Sequence, residues 1–156
     1  MKIKNLYFSP VKSLSFNNVD TLEIIKNIGI KNDRIFAFSN NLNIKDIELI
    51  KNNPLKREIY KFLSLKKYPE LNEYNFLIEN NFLILEFENK IILKTDINNQ
   101  HEVKILCSKL EDMLPNINNI NLLKDSMNPF FDTMPNKSIS LINLNSIKDF
   151  EKLSNY

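Results

Sequence analysis

Two short segments of this chain carry side chains that suit the binding of an oxyanion. The first, Pro10-Val11-Lys12-Ser13, directly follows a predicted strand and places an ammonium group and a hydroxyl on the turn at its end. The second, Asp33-Arg34, stands at the start of another predicted strand. Lysine supplies a point charge and arginine a planar fork of donors, which together form a typical phosphate site. If the two strands lie close in a sheet, we expect Lys12, Ser13 and Arg34 to converge on one anion.

Simpler interpretations of the same residues remain open. A Lys-Ser turn is commonly a solvated turn, and an Asp-Arg pair is commonly a structural ion pair. Phe130-Phe131-Asp132-Thr133 fits a loop that enters a strand as well as it fits a ligand contact. Cys107 has helical spacing with Val103 and Leu110 and is expected to be a small core residue. His101 has no partner in the sequence that would make it a catalytic base.

Composition excludes several classes of protein. The 21 basic and 19 acidic residues are interspersed and leave a net charge of +2, so no basic run indicates a nucleic-acid partner. The apolar stretches are too short for a spanning helix, and the start of the chain lacks a signal-peptide core, so we expect a cytoplasmic protein without a membrane partner. One cysteine excludes an internal disulfide and a thiolate-rich zinc site.

Hydrophobic patterns predict a chain rich in strands. Strands are expected over residues 3–8, 19–25 and 34–39, and Gly29, the single glycine, is expected at a backbone position that disfavours a Cβ atom. Residues 75–79 and 82–87 flank two asparagines, which is a hairpin signal, and residues 90–94 form a further predicted strand. A strand is also expected over residues 137–142.

Helical spacing appears in three places. Residues 54–63 predict a short helix that begins with proline, and residues 146–153 predict a helix near the end of the chain. Asn99 and Glu102 have the spacing of a capping box, and apolar residues then recur at helical spacing until Pro115. Residues 115–129 are expected to be a loop that joins two domains.

Several of these segments resemble one family. Residues 3–38 resemble the N-terminal β-barrel domain that precedes the MOSC domain, with Tyr7-Phe8-Ser9-Pro10-Val11-Lys12-Ser13, Gly29-Ile30 and Asp33-Arg34 in the family's order. Phe8-Ser9 stands where the family has an immediate Tyr-Pro step. Residues 61–65 and 68–71 resemble the stretch before the family's hairpin. Phe131-Asp132-Thr133 with residues 140–147 is similar to the start of the MOSC domain itself.

The resemblance implies a molybdenum-cofactor protein. The family includes amidoxime-reducing enzymes and the sulfurase C-terminal domain, and it binds a molybdopterin-type cofactor between two domains. On that basis Lys12, Ser13 and Arg34 would contact the phosphate end of the cofactor, and Asp132 and Thr133 would lie beside it. The resemblance also implies a redox partner protein and, among the family's associated activities, pyridoxal phosphate binding. It implies no catalytic and no metal-ligating residue in this chain.

The expected fold is a β-dominated α+β protein with three parts. Residues 1–115 form the barrel-like N-terminal domain, residues 116–129 a connecting loop, and residues 130–156 the start of an incomplete MOSC β-barrel domain. The family's Arg-Phe-Arg-Pro-Asn segment and its molybdenum-ligating cysteine do not occur here, so we expect a truncated chain that positions the cofactor without turning over. Two alternatives remain: a non-catalytic module that binds a phosphorylated small molecule or a protein partner, and a structural interaction domain without a ligand.

Overall fold

The computed structural model describes residues 3–14, 16–54, 57, 62–131, 139, 142, 143 and 152. Strands outnumber helices among these residues, so the fold is β-dominated and belongs to the α+β class. The elements follow one another in this order: β1 (Leu6–Phe8), β2 (Asn17–Val19), β3 (Ile24–Ile25), β4 (Gly29–Ile30), β5 (Phe36–Asn40), α1 (Ile44–Asn52), a 3₁₀ turn (Pro69–Glu73), β6 (Tyr74–Glu79), β7 (Phe82–Phe87), β8 (Lys90–Asp96), α2 (Gln100–Met113) and β9 (Ile120–Lys124).

The described strands form small antiparallel sheets. β1 pairs with β2, β3 with β4, β5 with β9, and β6, β7 and β8 form a three-stranded meander. Within the described ranges these sheets do not join into a closed barrel. A single parallel bridge between Val11 and Phe36 links the segment after β1 to the start of β5.

Asparagine provides the tight turns of this chain. Its short polar side chain tolerates the left-handed backbone region better than other side chains with a Cβ atom. Asn80 opens the predicted β6–β7 hairpin with a φ of 53°, and the hairpin is confirmed. Gly29 has a φ of +114°, and a Cβ atom there would meet nothing within 4 Å. The expectation that a Cβ atom is disfavoured at Gly29 is thus confirmed. The positive φ angle causes this preference, since the surrounding space is open.

The main core lies between the meander, β5 and α2. Phe38 of β5 and Phe76 of β6 are buried in it with ring centroids 5.5 Å apart. Leu106 and Leu110 bring the apolar face of α2 onto the same cluster, and Cys107 is buried beside them as expected. Full burial of one such apolar side chain contributes about 1.5–3 kcal/mol to stability.

Local capping signals begin both helices. The side chain of Asn99 accepts hydrogen bonds from the backbone N–H groups of His101 and Glu102, so the predicted start of α2 is confirmed. α1 begins with a complete capping box, in which Asn43 accepts from Asp46 N–H and the Asp46 carboxylate accepts from Asn43 N–H. The predicted elements did not include α1, although this spacing is visible in the sequence.

Three expectations for the strands and loops need correction. Residues 19–25 do not form one strand, because Val19 pairs with Leu6 whereas Ile25 pairs with Gly29 in a different sheet. The first strand covers Leu6–Phe8 and is shorter than predicted. The stretch 115–129 is not a loop throughout, since it contains β9, which pairs along all of β5. Ile120 and Leu123 are buried on that strand, which is a short apolar run between polar residues.

The remaining predicted elements fall mainly on residues that are not described. These are most of the helix over residues 54–63, the strand over residues 137–142 and the helix over residues 146–153. In the described part of the chain, no helix has the length and apolar character needed to cross a membrane.

Candidate functional site

The two predicted oxyanion segments lie side by side. Arg34 N–H donates to Ser9 C=O at 2.6 Å, and Phe36 N–H donates to Pro10 C=O at 3.0 Å. Lys12 N–H in turn donates to Phe36 C=O at 2.8 Å. These three bonds form a short parallel ladder between the Ser9–Lys12 backbone and the start of β5. The expected proximity of the two segments is therefore confirmed at the level of the backbone.

Asp33 fixes the junction between these segments. Its carboxylate is 3% exposed and accepts a hydrogen bond from Ser9 N–H at 2.9 Å. Its second oxygen pairs with Nη1 of Arg34. The buried carboxylate therefore anchors the turn after β1 and also orients the adjacent guanidinium.

Two of the predicted site residues hold left-handed backbone angles. The φ angle is 57° at Ser13 and 53° at Arg34, where side chains with a Cβ atom are disfavoured. Such angles cost on the order of 1–3 kcal/mol unless surrounding contacts impose them. At Arg34 those contacts are its own N–H bond to Ser9 and the bond that its carbonyl accepts from Phe130 N–H at 2.8 Å.

Aromatic rings surround the guanidinium of Arg34. Its Cζ lies 5.4 Å from the ring centroid of Phe16 and 5.2 Å from that of Phe131. Cation–π contacts use the face of a guanidinium and leave its edge for in-plane hydrogen bonds. The side chain of Arg34 keeps 23% of its surface exposed.

Lys12 has a different aromatic neighbour. The residue is only 8% exposed, and its Nζ lies 5.7 Å from the ring centroid of Phe62. Phe62 packs edge-to-face on Phe130, with centroids 5.5 Å apart. The structure thus brings the backbones of Lys12 and Arg34 together, while the two cationic groups lie against different aromatic rings.

A third cation, Arg57, holds the loop that carries these rings. It is 7% exposed, and its Cζ lies 4.4 Å from the Phe130 centroid. Its guanidinium donates to Ile50 C=O at 3.0 Å, to Asn128 C=O, and to the Asp125 carboxylate. Because these bonds use all three of its nitrogens, Arg57 has a structural role.

Sequence patterns did not identify the aromatic residues of the site. Phe16, Phe62 and Phe131 belong to segments far apart in the chain, and no periodic spacing links them to the cations. A run of two phenylalanines before Asp132-Thr133 was the available signal, and Phe131 of that run lies against Arg34. Asp132 and Thr133 themselves lie outside the described residues.

The remaining chemically notable residues lie away from this cluster. Cys107 is buried in the core, and burial raises the pKa of its thiol to about 11. A protonated, enclosed thiol is a poor nucleophile and a poor metal ligand. Over the described residues, no three His, Cys, Asp or Glu side chains come together in a group that could hold a metal ion.

Comparison with known proteins provides no relative for this chain. No protein-family model, no curated protein and no solved structure matches it.

Proposed function

We propose that this chain positions a molybdopterin-type cofactor as the N-terminal part of a MOSC-type oxidoreductase or sulfur-transfer protein, and that its own contribution is to anchor the phosphate end. The observation that supports this proposal most directly is the short ladder from Ser9–Lys12 to Arg34 and Phe36. It joins the backbone of Ser9–Lys12, which Ser13 follows, to Arg34 and Phe36, more than 20 residues later in the chain.

The donor inventory of the site suits a phosphate. Among the described contacts, the hydrogen bonds of the Arg34 side chain involve Nη1 alone, so its Nε and Nη2 hydrogens remain for a ligand. Ser13 adds a hydroxyl that makes no hydrogen bond in the described contacts. Each hydrogen bond from such groups to an anion contributes about 1.5–3 kcal/mol.

The site contains two cationic side chains. Lys12 and Arg34 each carry a positive charge, and Asp33 pairs with the guanidinium of Arg34. Burial of Lys12 lowers the screening of its charge by water. The site therefore favours anions, and its selectivity for phosphate rests on the planar fork of Arg34.

The cofactor, when bound, supplies the redox or sulfur-transfer chemistry of the molybdenum centre. The residues of this chain bind and orient it. Arg34 donates in its own plane, Lys12 provides electrostatic attraction, and Asp33 keeps the Arg34 fork in a single orientation. In the complete protein, a redox or sulfur-transfer partner protein would exchange electrons or sulfur with that centre. We expect the protein to act in the cytoplasm.

Copurification tests the cofactor. The full chain is expressed in a molybdenum-replete host, and the purified protein is analysed for molybdenum and for the fluorescence of oxidised pterin. Copurified pterin that is lost in Arg34→Lys and Lys12→Met is the expected result, since lysine lacks the fork and methionine keeps volume without charge. Lys31→Met is the matched control, because Lys31 is an exposed residue paired with Glu23.

Equal pterin retention by the wild type and by both site variants would overturn the proposal. A protein free of pterin that still binds inorganic phosphate through Arg34 would instead support the alternative, a non-catalytic module for a phosphorylated small molecule. One observation favours this alternative: the ladder and the Asp33–Arg34 pair that support the candidate donors lie within residues 9–36. A phosphate site built on these donors would need only one part of the chain.

A further inference from the structure

A cavity of about 460 Å³ lies between the β1–β2 pair and the edge of the meander. Five apolar residues line it, namely Phe8, Phe16, Val19, Leu77 and Ile78. Glu79 is the charged residue among its described lining residues. The volume lies in the range of ligand-binding clefts, which is about 300–1,000 Å³. Both long walls of this cavity belong to strands.

Those walls are sheet edges without a common ladder. β6 is an edge strand of the meander, and β2 pairs only with β1 in the described part of the chain. A side-chain hydrogen bond links the two walls, in which Asn17 Nδ2 donates to Phe76 C=O at 2.7 Å. The cavity is therefore an interruption between two sheets.

The hairpin geometry shows which backbone groups of β6 face this interruption. A two-residue loop makes Glu79 and Phe82 the closing hydrogen-bonded pair. Pairing with β7 then alternates along β6, so every second residue turns its N–H and C=O groups to the outer edge. These outward residues are Tyr74, Phe76 and Ile78.

Part of this outer edge has no partner. Tyr74 N–H donates to Leu71 C=O, and Phe76 C=O accepts from Asn17. Among the described contacts, the N–H of Phe76 and both backbone groups of Ile78 make no hydrogen bond. Asn75, which also lines the cavity, has a buried Oδ1 atom without a partner. Unpaired edge groups of this kind are a template for another strand.

We propose that this cavity binds an extended peptide segment of a partner protein, which adds a strand beside β6 in the space next to β2. The backbone of that segment pairs with Phe76 and Ile78, and apolar side chains on one of its faces pack against Phe16 and Leu77. The exposed carboxylate of Glu79 pairs with Lys94 at 3.3 Å, and it favours a basic side chain at the corresponding end of the peptide in competition with that lysine. This interaction does not depend on the proposed cofactor role.

Amide exchange of the full 156-residue chain tests the proposal. The probe is a capped six-residue peptide of alternating valine and threonine with a terminal lysine. We expect saturating peptide to slow exchange at Phe76 and Ile78 at least tenfold, because both N–H groups acquire partners. A peptide that is N-methylated at alternate positions should bind about tenfold more weakly, since it loses more than one backbone hydrogen bond.

A charge reversal tests selectivity. Glu79→Lys should lower the affinity for the lysine peptide and raise the affinity for the same peptide with a terminal aspartate. We expect each change to be about threefold, as for an exposed ion pair. Glu88→Lys is the matched control, because Glu88 lies in the β7–β8 turn outside the cavity lining. Unchanged exchange at Ile78 with millimolar peptide, or equal binding of the N-methylated peptide, would overturn the proposal. Protection of both amides that rises with protein concentration would assign the edge to a second copy of this chain and overturn it as well.

Discussion

The buried carboxylate of Asp33 accepts the backbone N–H of Ser9, 24 residues earlier in the chain, at a distance of 2.9 Å. The same carboxylate pairs with the guanidinium of Arg34. One short side chain thereby determines both where the turn after β1 lies and how the cationic fork is oriented. Two of the predictions below depend on buried charged groups of this kind.

Removal of Asp33 should destabilise the fold. Asp33→Ala leaves Ser9 N–H buried without an acceptor and Arg34 without its anion, so the free energy of unfolding should fall by about 1–3 kcal/mol. Asp33→Asn retains an oxygen acceptor and should lose less of the free energy of unfolding. Urea denaturation measures both variants, with exposed Asp20→Ala as the control. Equal stability of Asp33→Ala and the control would contradict the anchoring role.

Arg57 should be more important for stability than either predicted site cation. Arg57→Ala leaves Asp125 unpaired in a largely buried position and removes two further bonds to backbone carbonyls. The expected loss is about 3–5 kcal/mol in the free energy of unfolding. Arg57→Lys should recover part of it, because an ammonium reaches fewer acceptors than the planar fork. Chemical denaturation compares these variants with Lys45→Ala, which alters an exposed residue of α1. If Arg57→Ala lowers the free energy of unfolding by less than about 1 kcal/mol, the structural role of Arg57 is contradicted.

The N-terminal cap of α2 can be tested with adjacent asparagines. Asn99→Ala removes the acceptor for two N–H groups of the first turn and should reduce stability by about 1 kcal/mol. Asn99→Asp keeps the acceptor and should be close to neutral or better, since a negative charge is favourable at a helix N-terminus. Asn98→Ala is the matched control, because the described bond of Asn98 uses its backbone N–H. Thermal melting should therefore show a lower melting temperature for Asn99→Ala than for Asn98→Ala.

Cys107 should be unreactive in the folded protein. Burial, together with the carboxylate of Glu111, raises the pKa of its thiol from 9.0 to about 11, although a backbone hydrogen bond at Leu122 opposes the rise. Only about one thiol in a thousand is therefore ionised at pH 8. We expect no reaction with a disulfide reagent until denaturant is added. Rapid labelling of the native protein at pH 8 would show that the thiol is accessible.

The same pKa shift predicts a pH dependence of stability. The folded state holds the thiol proton more tightly than the unfolded chain, so this contribution to stability is fully present below about pH 9 and is lost as the pH rises through about 11. Denaturant titrations from pH 8 to pH 11.5 should show falling stability. Cys107→Ala should lack this component of the decline.

Sequence reasoning succeeded where the signal was local. The cap at Asn99, the helix that follows it and the hairpin at Asn80 depend on contacts between residues close in the chain. The β-dominated class follows from the same local patterns. Reasoning failed at β9, where a short apolar run inside a polar stretch becomes a strand because β5 offers a partner. A single-sequence pattern contains no information about such a partner.

For the candidate site, the sequence by itself determined the donors: an ammonium and a hydroxyl on a turn, and a guanidinium beside a carboxylate. It also determined the left-handed turns, because asparagine occupies most of them with little strain. Only the tertiary structure decided that Ser9 meets Arg34, that Phe16 and Phe131 lie against its guanidinium, and that Lys12 lies against Phe62 instead. The physical reason is that these contacts join residues up to about 100 positions apart. Packing of the whole chain selects such contacts, since no local pattern specifies them.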